Sequence, residues 1–205
     1  TANVVVANAL TGPVHNLTSG INYCTIQQAV NAASPNDVIS ADAGVYNESI
    51  ITINKPLTLN GANAGISAGK YPGVRGAESV INGYIKTSAV VGVLTLDGFT
   101  IQSAANSTSS LNCNLGGTGT INVRNNIFDG GTYTANNAIY TGIGVTWFVT
   151  DNYFTNYKSN ALLMDGPLPT GMGPGVFSGN KLMNNGNGMN FQSDETSGQT
   201  ITDNL

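Results

Sequence analysis

A short motif centred on asparagine recurs along the second half of the chain, and this recurrence strongly constrains the fold. It reads VRNNIFDGG at 123–131, VTDNYFTNY at 149–157, FSGNKLMNN at 177–185 and ITDNL at 201–205. Alignment with LTLDGFTIQ at 94–102 places positions 98, 126, 152, 180 and 204 in one column, separated by 28, 26, 28 and 24 residues. Periods of roughly 20–50 residues are typical of solenoids, whose repeats bury their apolar faces against each other.

The column of asparagines predicts a ladder. Stacked β coils lie about 4.8 Å apart, and a corner asparagine can adopt the left-handed bend that turns the chain. Its amide can also bond the equivalent amides above and below, which satisfies a buried polar group. We therefore interpret the column as structural, in preference to a row of ligand-binding amides. The predicted ladder residues are Asn126, Asn152, Asn180 and Asn204.

The residues around the asparagines predict the columns of the core. One inward column would contain Val123, Val149, Phe177 and Ile201, and another would contain Phe99, Ile127 and Tyr153. The composition agrees with all-β structure. Charged residues are only 9%, against about a quarter in average domains, while hydrophobic residues reach 40%. Such a chain can bury a core, but it lacks the charges that cover exposed helices.

One helix is predicted, over about 25–34. Thr25 can cap its N-terminus, Ile26, Ala29 and Val30 form an apolar stripe, and Pro35 ends it. The preceding residues, 1–22, are expected to form a lead-in strand or loop. The helix should lie flat over the first coil, because the end of a solenoid otherwise exposes unpaired backbone groups.

The segment YCTIQQAVNAASPNDVISADAGVYNESIITINKPLTLNGAN, 23–63, resembles the opening of right-handed parallel β-helix proteins of the pectin-lyase-like superfamily. The shared features are the TIQ helix start, Gly44, Tyr46 and Glu48, and the KPLTLNG run. The resemblance implies one all-β domain over 23–205, a right-handed parallel β-helix of about seven coils with an N-terminal capping helix. It is weak for activity, because lyases, hydrolases and noncatalytic surface proteins share this opening.

Charge argues against some partners. The net charge is −4 and the seven cations are scattered, so nucleic-acid binding is not expected. No run of 18 apolar residues could span a membrane. Cys24 and Cys113 lack the spacing of a zinc site, and two separate buried thiols are favoured over a disulfide. His15, the only histidine, is interpreted as a surface residue.

The resemblance also implies where chemistry could lie. Lyases of this kind hold Ca²⁺ with aspartates and use Arg or Lys as a base, and the glycosidases pair carboxylates. Asp97 and Asp151 would lie two coils apart in one column, with Arg124 on the coil between them. These three residues are the candidates for catalysis, and the two aspartates for a Ca²⁺ site. The favoured alternative is turn hydrogen bonding, with no cofactor required.

Four aromatic side chains are candidates for stacking on sugar rings: Trp147, Tyr133, Tyr140 and Tyr157. The alternative is that most of them fill the interior. The loop 165–175, rich in Gly and Pro, would shape a rim or a partner contact.

These features favour a noncatalytic extracellular or cell-surface module with a structural or adhesive role, contacting polysaccharide. The alternatives are a polysaccharide lyase or glycoside hydrolase acting on acidic glycans, and a passenger domain of a larger secreted protein. The sequence stops within a repeat at Leu205, so we expect either further chain or another subunit or domain at the uncapped C-terminal end.

Overall fold

The structure of the chain, a computed structural model, describes residues 11–88, 90–102, 109–115, 119–131, 137–141, 145–164, 174–191 and 198–205. The helix α1 spans Ile26–Ala32. The first eleven strands are β1 Val14–Asn16, β2 Ile21–Tyr23, β3 Val38–Ala41, β4 Gly44–Tyr46, β5 Ile50–Ile53, β6 Leu57–Asn60, β7 Ser79–Asn82, β8 Tyr84–Ser88, β9 Val93–Asp97, β10 Phe99–Gln102 and β11 Ser109–Leu115. The remaining strands are β12 Thr120–Arg124, β13 Ile127–Asp129, β14 Asn137–Thr141, β15 Thr146–Thr150, β16 Tyr153–Thr155, β17 Asn160–Met164, β18 Gly175–Ser178, β19 Lys181–Met183, β20 Asn187–Phe191 and β21 Gln199–Thr202.

The strands form three sheets. The first has nine strands in the order β2-β1-β3-β6-β9-β12-β15-β18-β21. The second has six in the order β19-β16-β13-β10-β7-β4, and the third has six in the order β20-β17-β14-β11-β8-β5. From β3 onward the chain visits the first, second and third sheets in constant rotation, and each strand pairs in parallel with the strands three places before and after it. We call each set of three successive strands a rung.

This topology confirms that the chain is all-β and built mostly from stacked parallel strands, which is compatible with a β-solenoid. The exceptions are β1 and β2. They form an antiparallel hairpin, and β1 also pairs antiparallel with β3.

The core lies between the sheets and is built from columns of like residues. In the first sheet, register stacks Leu59, Leu96, Val123, Val149, Phe177 and Ile201. In the second it stacks Ile81, Ile101, Phe128, Phe154 and Leu182. The rings of Phe128 and Phe154 are stacked with centroids 5.0 Å apart. Columns of this kind remove apolar surface from water at successive rungs as far as Phe177, whereas Ile201 at the end of the first column is exposed.

One predicted column is wrong in part. Phe99 is buried, but Ile127 and Tyr153 are only half-buried and pair with each other and with Lys181 on the outer side of the second sheet. The Nζ of Lys181 lies 5.3 Å from the ring centroid of Tyr153. Ile127 pairs with Thr100 in register, so Phe99 lies one residue earlier than Ile127 and Tyr153 and faces the opposite side of the sheet.

Helix α1 lies within the predicted range. The hydroxyl of Thr25 accepts a hydrogen bond from the Gln28 amide at 3.1 Å. The carboxylate of Glu48 accepts bonds from the amides of Ile26 and Gln27 at 2.6 and 2.8 Å. These acceptors satisfy amides that have no partner within the helix. The buried face packs towards β1, β2, β3 and β5.

Candidate functional site

The candidate charged residues lie at the corner between the first and second sheets. From β9 onward, one residue at each of these corners has a left-handed backbone, and we call these the corner residues: Gly98 (φ 77°), Asn125 (57°), Asp151 (58°), Gly179 (66°) and Asp203 (56°). Gly and Asn adopt this conformation at the lowest cost, and Asp tolerates it. Gly98 is therefore equivalent to Asn125. Its predicted alignment with Asn126, and the prediction that the ladder asparagine itself takes the bend, are wrong.

The four asparagines that follow the corner residues form a continuous hydrogen-bonded chain, which we call the long ladder: Asn126, Asn152, Asn180 and Asn204. The Oδ1 of Asn152 accepts from both the backbone amide (2.9 Å) and the Nδ2 (3.1 Å) of Asn126. Its Nδ2 donates to the Val123 carbonyl at 2.8 Å. The side chain thus replaces the ladder bonds that the backbone cannot make where it bends.

Asp97 and Arg124 form an ion pair across neighbouring rungs. The two residues are in register, and Arg124 Nε donates to Asp97 Oδ2 at 2.8 Å. Asp97 Oδ1 also accepts from Asn125 Nδ2 at 2.8 Å and from the Gly65 amide at 3.0 Å. Asp97 is 3% exposed, whereas the Arg124 side chain is 51% exposed. The carboxylate is fully engaged in holding three parts of the chain together.

Asp151 does not share a column with Asp97, which corrects the predicted Ca²⁺ arrangement. Asp97 pairs with Arg124, which in turn pairs with Thr150, so Asp151 lies one residue further along the chain. The sequence alignment placed Asp97 and Asp151 in one column because it matched Gly98 with Asn126, when Gly98 is equivalent to Asn125. Burial, with the nearby charge of Asp203, raises the pKa of Asp151 above its usual value. Asp203 is itself paired with the Nζ of Lys70.

A long irregular segment, which we call the clasp, covers this corner. It comprises residues 61–78 between β6 and β7, where the later rungs turn within one or two residues. Its donors bind one corner carbonyl per rung: Asn63 N to Gly98 O (3.3 Å), Arg75 Nη1 to Asn125 O (2.7 Å), Ala68 N to Asp151 O (3.0 Å) and Lys70 N to Gly179 O (2.7 Å). The clasp was not predicted from the sequence, because its Gly- and Ala-rich segment matches no repeat.

Arg75 is fixed in the clasp by Glu78. Their side chains form two hydrogen bonds, Nε to Oε1 at 2.8 Å and Nη2 to Oε2 at 2.9 Å. Burial alone would raise the pKa of Glu78, but the bonds and charge of Arg75 lower it below its usual value. Glu78 Oε2 also accepts from the hydroxyl of Thr100 on β10 at 3.0 Å.

Two of the candidate aromatic residues are interior. Trp147 and Tyr157 are each 1% exposed, so the expectation that they stack on a bound sugar is wrong. Trp147 alternates inward on β15 while its neighbour Phe148 faces outward. Tyr157 hydrogen-bonds Ser110 at 2.6 Å, and burial raises its pKa. Tyr133, together with most of the loop 165–175, lies outside the described residues.

Tyr140 is half-buried on the outer side of the third sheet. Register places it in an outward column with Thr52, Lys86, Asn112, Leu163 and Asn190. We call this the third-sheet column. Lys86 and Thr52 are exposed, and adjacent side chains in such a column are separated by the strand spacing of about 4.8 Å.

A second set of asparagines was also missed. Asn160 Nδ2 donates to Asn137 Oδ1 at 2.8 Å, and Asn187 Nδ2 donates to Asn160 Oδ1 at 3.2 Å. We call these three residues the short ladder. Their spacings of 23 and 27 residues could have revealed them, but the residues around them share no motif.

The two cysteines and the histidine remain as candidates for chemistry, and they do not form a common site. The thiols of Cys24 and Cys113 are both free, as favoured from the sequence, but Cys24 is exposed, so its predicted burial is wrong. Burial raises the pKa of Cys113 to about 12. His15 hydrogen-bonds Asn22 at 2.9 Å and Asp42 at 3.1 Å, and these bonds raise its pKa. Among the described residues, no three His, Cys, Asp or Glu side chains are grouped to hold a metal ion.

Within the described ranges there is also no helix long and apolar enough to cross a membrane. Comparison with models of known protein families, with curated proteins and with solved structures finds no match for this chain.

Proposed function

We propose that this chain is a right-handed parallel β-helix of the pectin-lyase-like kind, capped by α1. We further propose that it serves as a secreted or cell-surface module with a structural or adhesive role and contacts polysaccharide. The observation that carries the structural role is that the carboxylate of Asp97 is buried and bonded within the chain. A carboxylate that is 3% exposed and accepts three intramolecular hydrogen bonds stabilises the stack and is not presented to a ligand.

Two features support the architecture. From β3 onward the chain passes through the three sheets in a constant order and its strands pair in parallel, as the coils of a solenoid do. Helix α1 buries Ile26, Ala29 and Val30 beside the first strands, which supports its role as a cover for the N-terminal end.

The polysaccharide contact is proposed at the third-sheet column. Tyr140 offers part of an aromatic ring between the polar Asn112 and the apolar Leu163, and the cation of Lys86 lies two rungs away. Aromatic faces stack on the apolar faces of sugars, while amide and ammonium groups bond their hydroxyls and carboxylates. A flat column of this kind suits weak, repeated contacts along a polymer.

The test is a depletion assay of the full chain on insoluble neutral and acidic polysaccharides. We expect Tyr140→Ala to weaken binding about three- to tenfold, and Tyr71→Ala to leave it unchanged. Tyr71 is a matched control because it is 64% exposed but lies on the clasp. If no polysaccharide is retained, or if both variants lose binding equally, the proposed contact is wrong.

A lyase or hydrolase acting on acidic glycans is the second candidate. It is favoured by the exposed guanidinium of Arg124, whose Nε is fixed by Asp97 while its side chain is 51% exposed. Release of unsaturated products or new reducing ends, with and without Ca²⁺, would identify this activity. Turnover that Arg124→Gln abolishes would replace the module proposal.

A protein partner is proposed at the edge formed by β19, β20 and β21. Met183, Ile201 and Leu205 are 43%, 51% and 63% exposed there, and the backbone groups of an edge strand can pair with a further strand. We expect the chain to associate in sedimentation velocity as concentration rises, and Ile201→Asp to reduce that association. A monomer at every concentration would contradict self-association at this edge.

A further inference from the structure

We propose that the clasp couples the rung that contains it, β6–β8, to the four rungs that follow, and makes these five rungs open as one unit. In a stacked repeat protein, each repeat normally contacts only its neighbours, so a chain of this kind can unfold stepwise from an end. The clasp departs from that pattern. It follows β6 in the sequence, but it binds corner residues as far along the chain as Gly179 and Asp203.

The spacing of the contacts supports this role. Ala68 and Lys70, two residues apart in the clasp, donate to Asp151 and Gly179, which lie on neighbouring rungs. Neighbouring rungs are separated by the strand spacing of about 4.8 Å, so two residues of the clasp are enough to pass from one rung to the next. The clasp therefore contributes about one hydrogen bond to each rung that it crosses.

The clasp packs closely against the corner residues, and glycines on both sides of this contact allow the close approach. A Cβ on Gly69 would lie 2.0 Å from the Gly179 carbonyl oxygen, and a Cβ on Gly98 would lie 2.1 Å from the Ala64 amide nitrogen. Backbone therefore contacts backbone directly, with no side chain between them. Since such contacts cannot adjust by rotamer changes, displacement of the clasp at Gly69 must disturb the rungs that it touches.

The clasp is also anchored at both ends of its path. Near β9, the Gly65 amide binds the buried carboxylate of Asp97 at 3.0 Å. At the far end, Lys70 pairs with Asp203 beyond β21, across a sequence separation of 133 residues. A tether with anchors this far apart links the opening of the later rungs to that of the earlier ones.

Hydrogen exchange of the folded chain, resolved to peptides from β9, β12, β15 and β18, tests this coupling. We expect these strands of the parent chain to share one slow opening. In Gly69→Ala we expect exchange in β15 and β18 to accelerate about tenfold or more, while β9 and β12 change by less than about threefold. Gly44→Ala is the matched control, because a Cβ there meets nothing within 4 Å.

A milder variant covers the case in which Gly69→Ala fails to fold. Lys70→Met removes only the ammonium that pairs with Asp203, and it should accelerate β18 more than β9. Unchanged exchange in β18 in the folded variants would overturn the proposal. Equal acceleration of all four strands would also overturn it, because that result describes a uniform loss of stability in place of lost coupling.

Discussion

Two asparagine ladders run along this molecule, and they differ in the groups that they satisfy. In the long ladder each Oδ1 accepts from the backbone amide of the preceding rung, and each Nδ2 donates to a backbone carbonyl. In the short ladder the bonds run mainly from one side chain to the next. Asn126, Asn152 and Asn180 are 0% exposed, whereas Asn160 is 4% exposed and Asn187 is exposed.

The difference follows from the backbone. At the long ladder a left-handed residue bends the chain, so the next amide cannot meet a carbonyl of the following rung and a side-chain oxygen replaces it. At the short ladder, Asn137, Asn160 and Asn187 lie within strands and pair in register with one another. A repeated asparagine is thus required by the backbone at one place and supplements it at the other.

Asn152→Ala should cause the largest effect. Its loss leaves the buried amide of Asn126 without an acceptor and the Val123 carbonyl without that donor. A buried group left unsatisfied costs about 1–3 kcal/mol, so we expect the free energy of unfolding to fall by about 3–4 kcal/mol. Denaturant titration followed by the fluorescence of Trp147, the only tryptophan, would measure it. A loss below about 1 kcal/mol would show that water or backbone movement satisfies the exposed groups.

Asn160→Ala should lower the free energy of unfolding by less, about 1–2 kcal/mol, because it removes side-chain hydrogen bonds but leaves no backbone amide without an acceptor. Asn137 Oδ1 would still accept from the Asn160 amide, at 3.3 Å. The same titration applies, with Asn187→Ala as the control at the exposed end of the ladder. If Asn160→Ala costs as much as Asn152→Ala, the distinction drawn between the ladders is wrong.

The sequence predicts the long ladder well, because equivalent residues recur with similar neighbours. It fails by one residue at Gly98, because the pair Asp-Gly resembles the pairs Asn-Asn and Asp-Asn. The second residue takes the bend in Asp-Gly, whereas the first residue takes it in the other two pairs. That slip moved Asp97 into the column of Asp151 and produced a Ca²⁺ arrangement that the structure does not contain. Sequence similarity cannot resolve such a slip, because the backbone conformation decides which residue is equivalent.

Other features escaped because they are not periodic. The contact of Lys70 with Asp203 joins residues 133 positions apart, and no local pattern predicts it. The interior position of Trp147 depends on which alternate residues of β15 face inward, whereas Tyr157 lies after the end of β16 and follows the left-handed Asn156. No repeat motif in the sequence marks either position as interior.

Asp151→Asn should have the smallest effect, and its sign is opposite. Burial and the charge of Asp203 raise the pKa of Asp151, so its ionised form is disfavoured in the folded chain. A raised pKa adds stability below the usual value for an aspartate, about 3.9, and this contribution is lost as pH rises through the folded value. Asparagine already occupies the equivalent corner at position 125, so the bend is retained.

We therefore expect Asp151→Asn to stabilise the chain at pH 7 by up to about 0.5 kcal/mol, and to lose this advantage as pH falls towards 3. Denaturant titrations of both proteins at several pH values would measure the difference. Asp129→Asn is a suitable control, because Asp129 accepts a hydrogen bond from Asn156 at 2.8 Å at a different corner. If Asp151→Asn destabilises the chain at pH 7, the Asp151 carboxylate supports the bend at this corner, and the long ladder depends on the residue before each asparagine as well as on the asparagine itself.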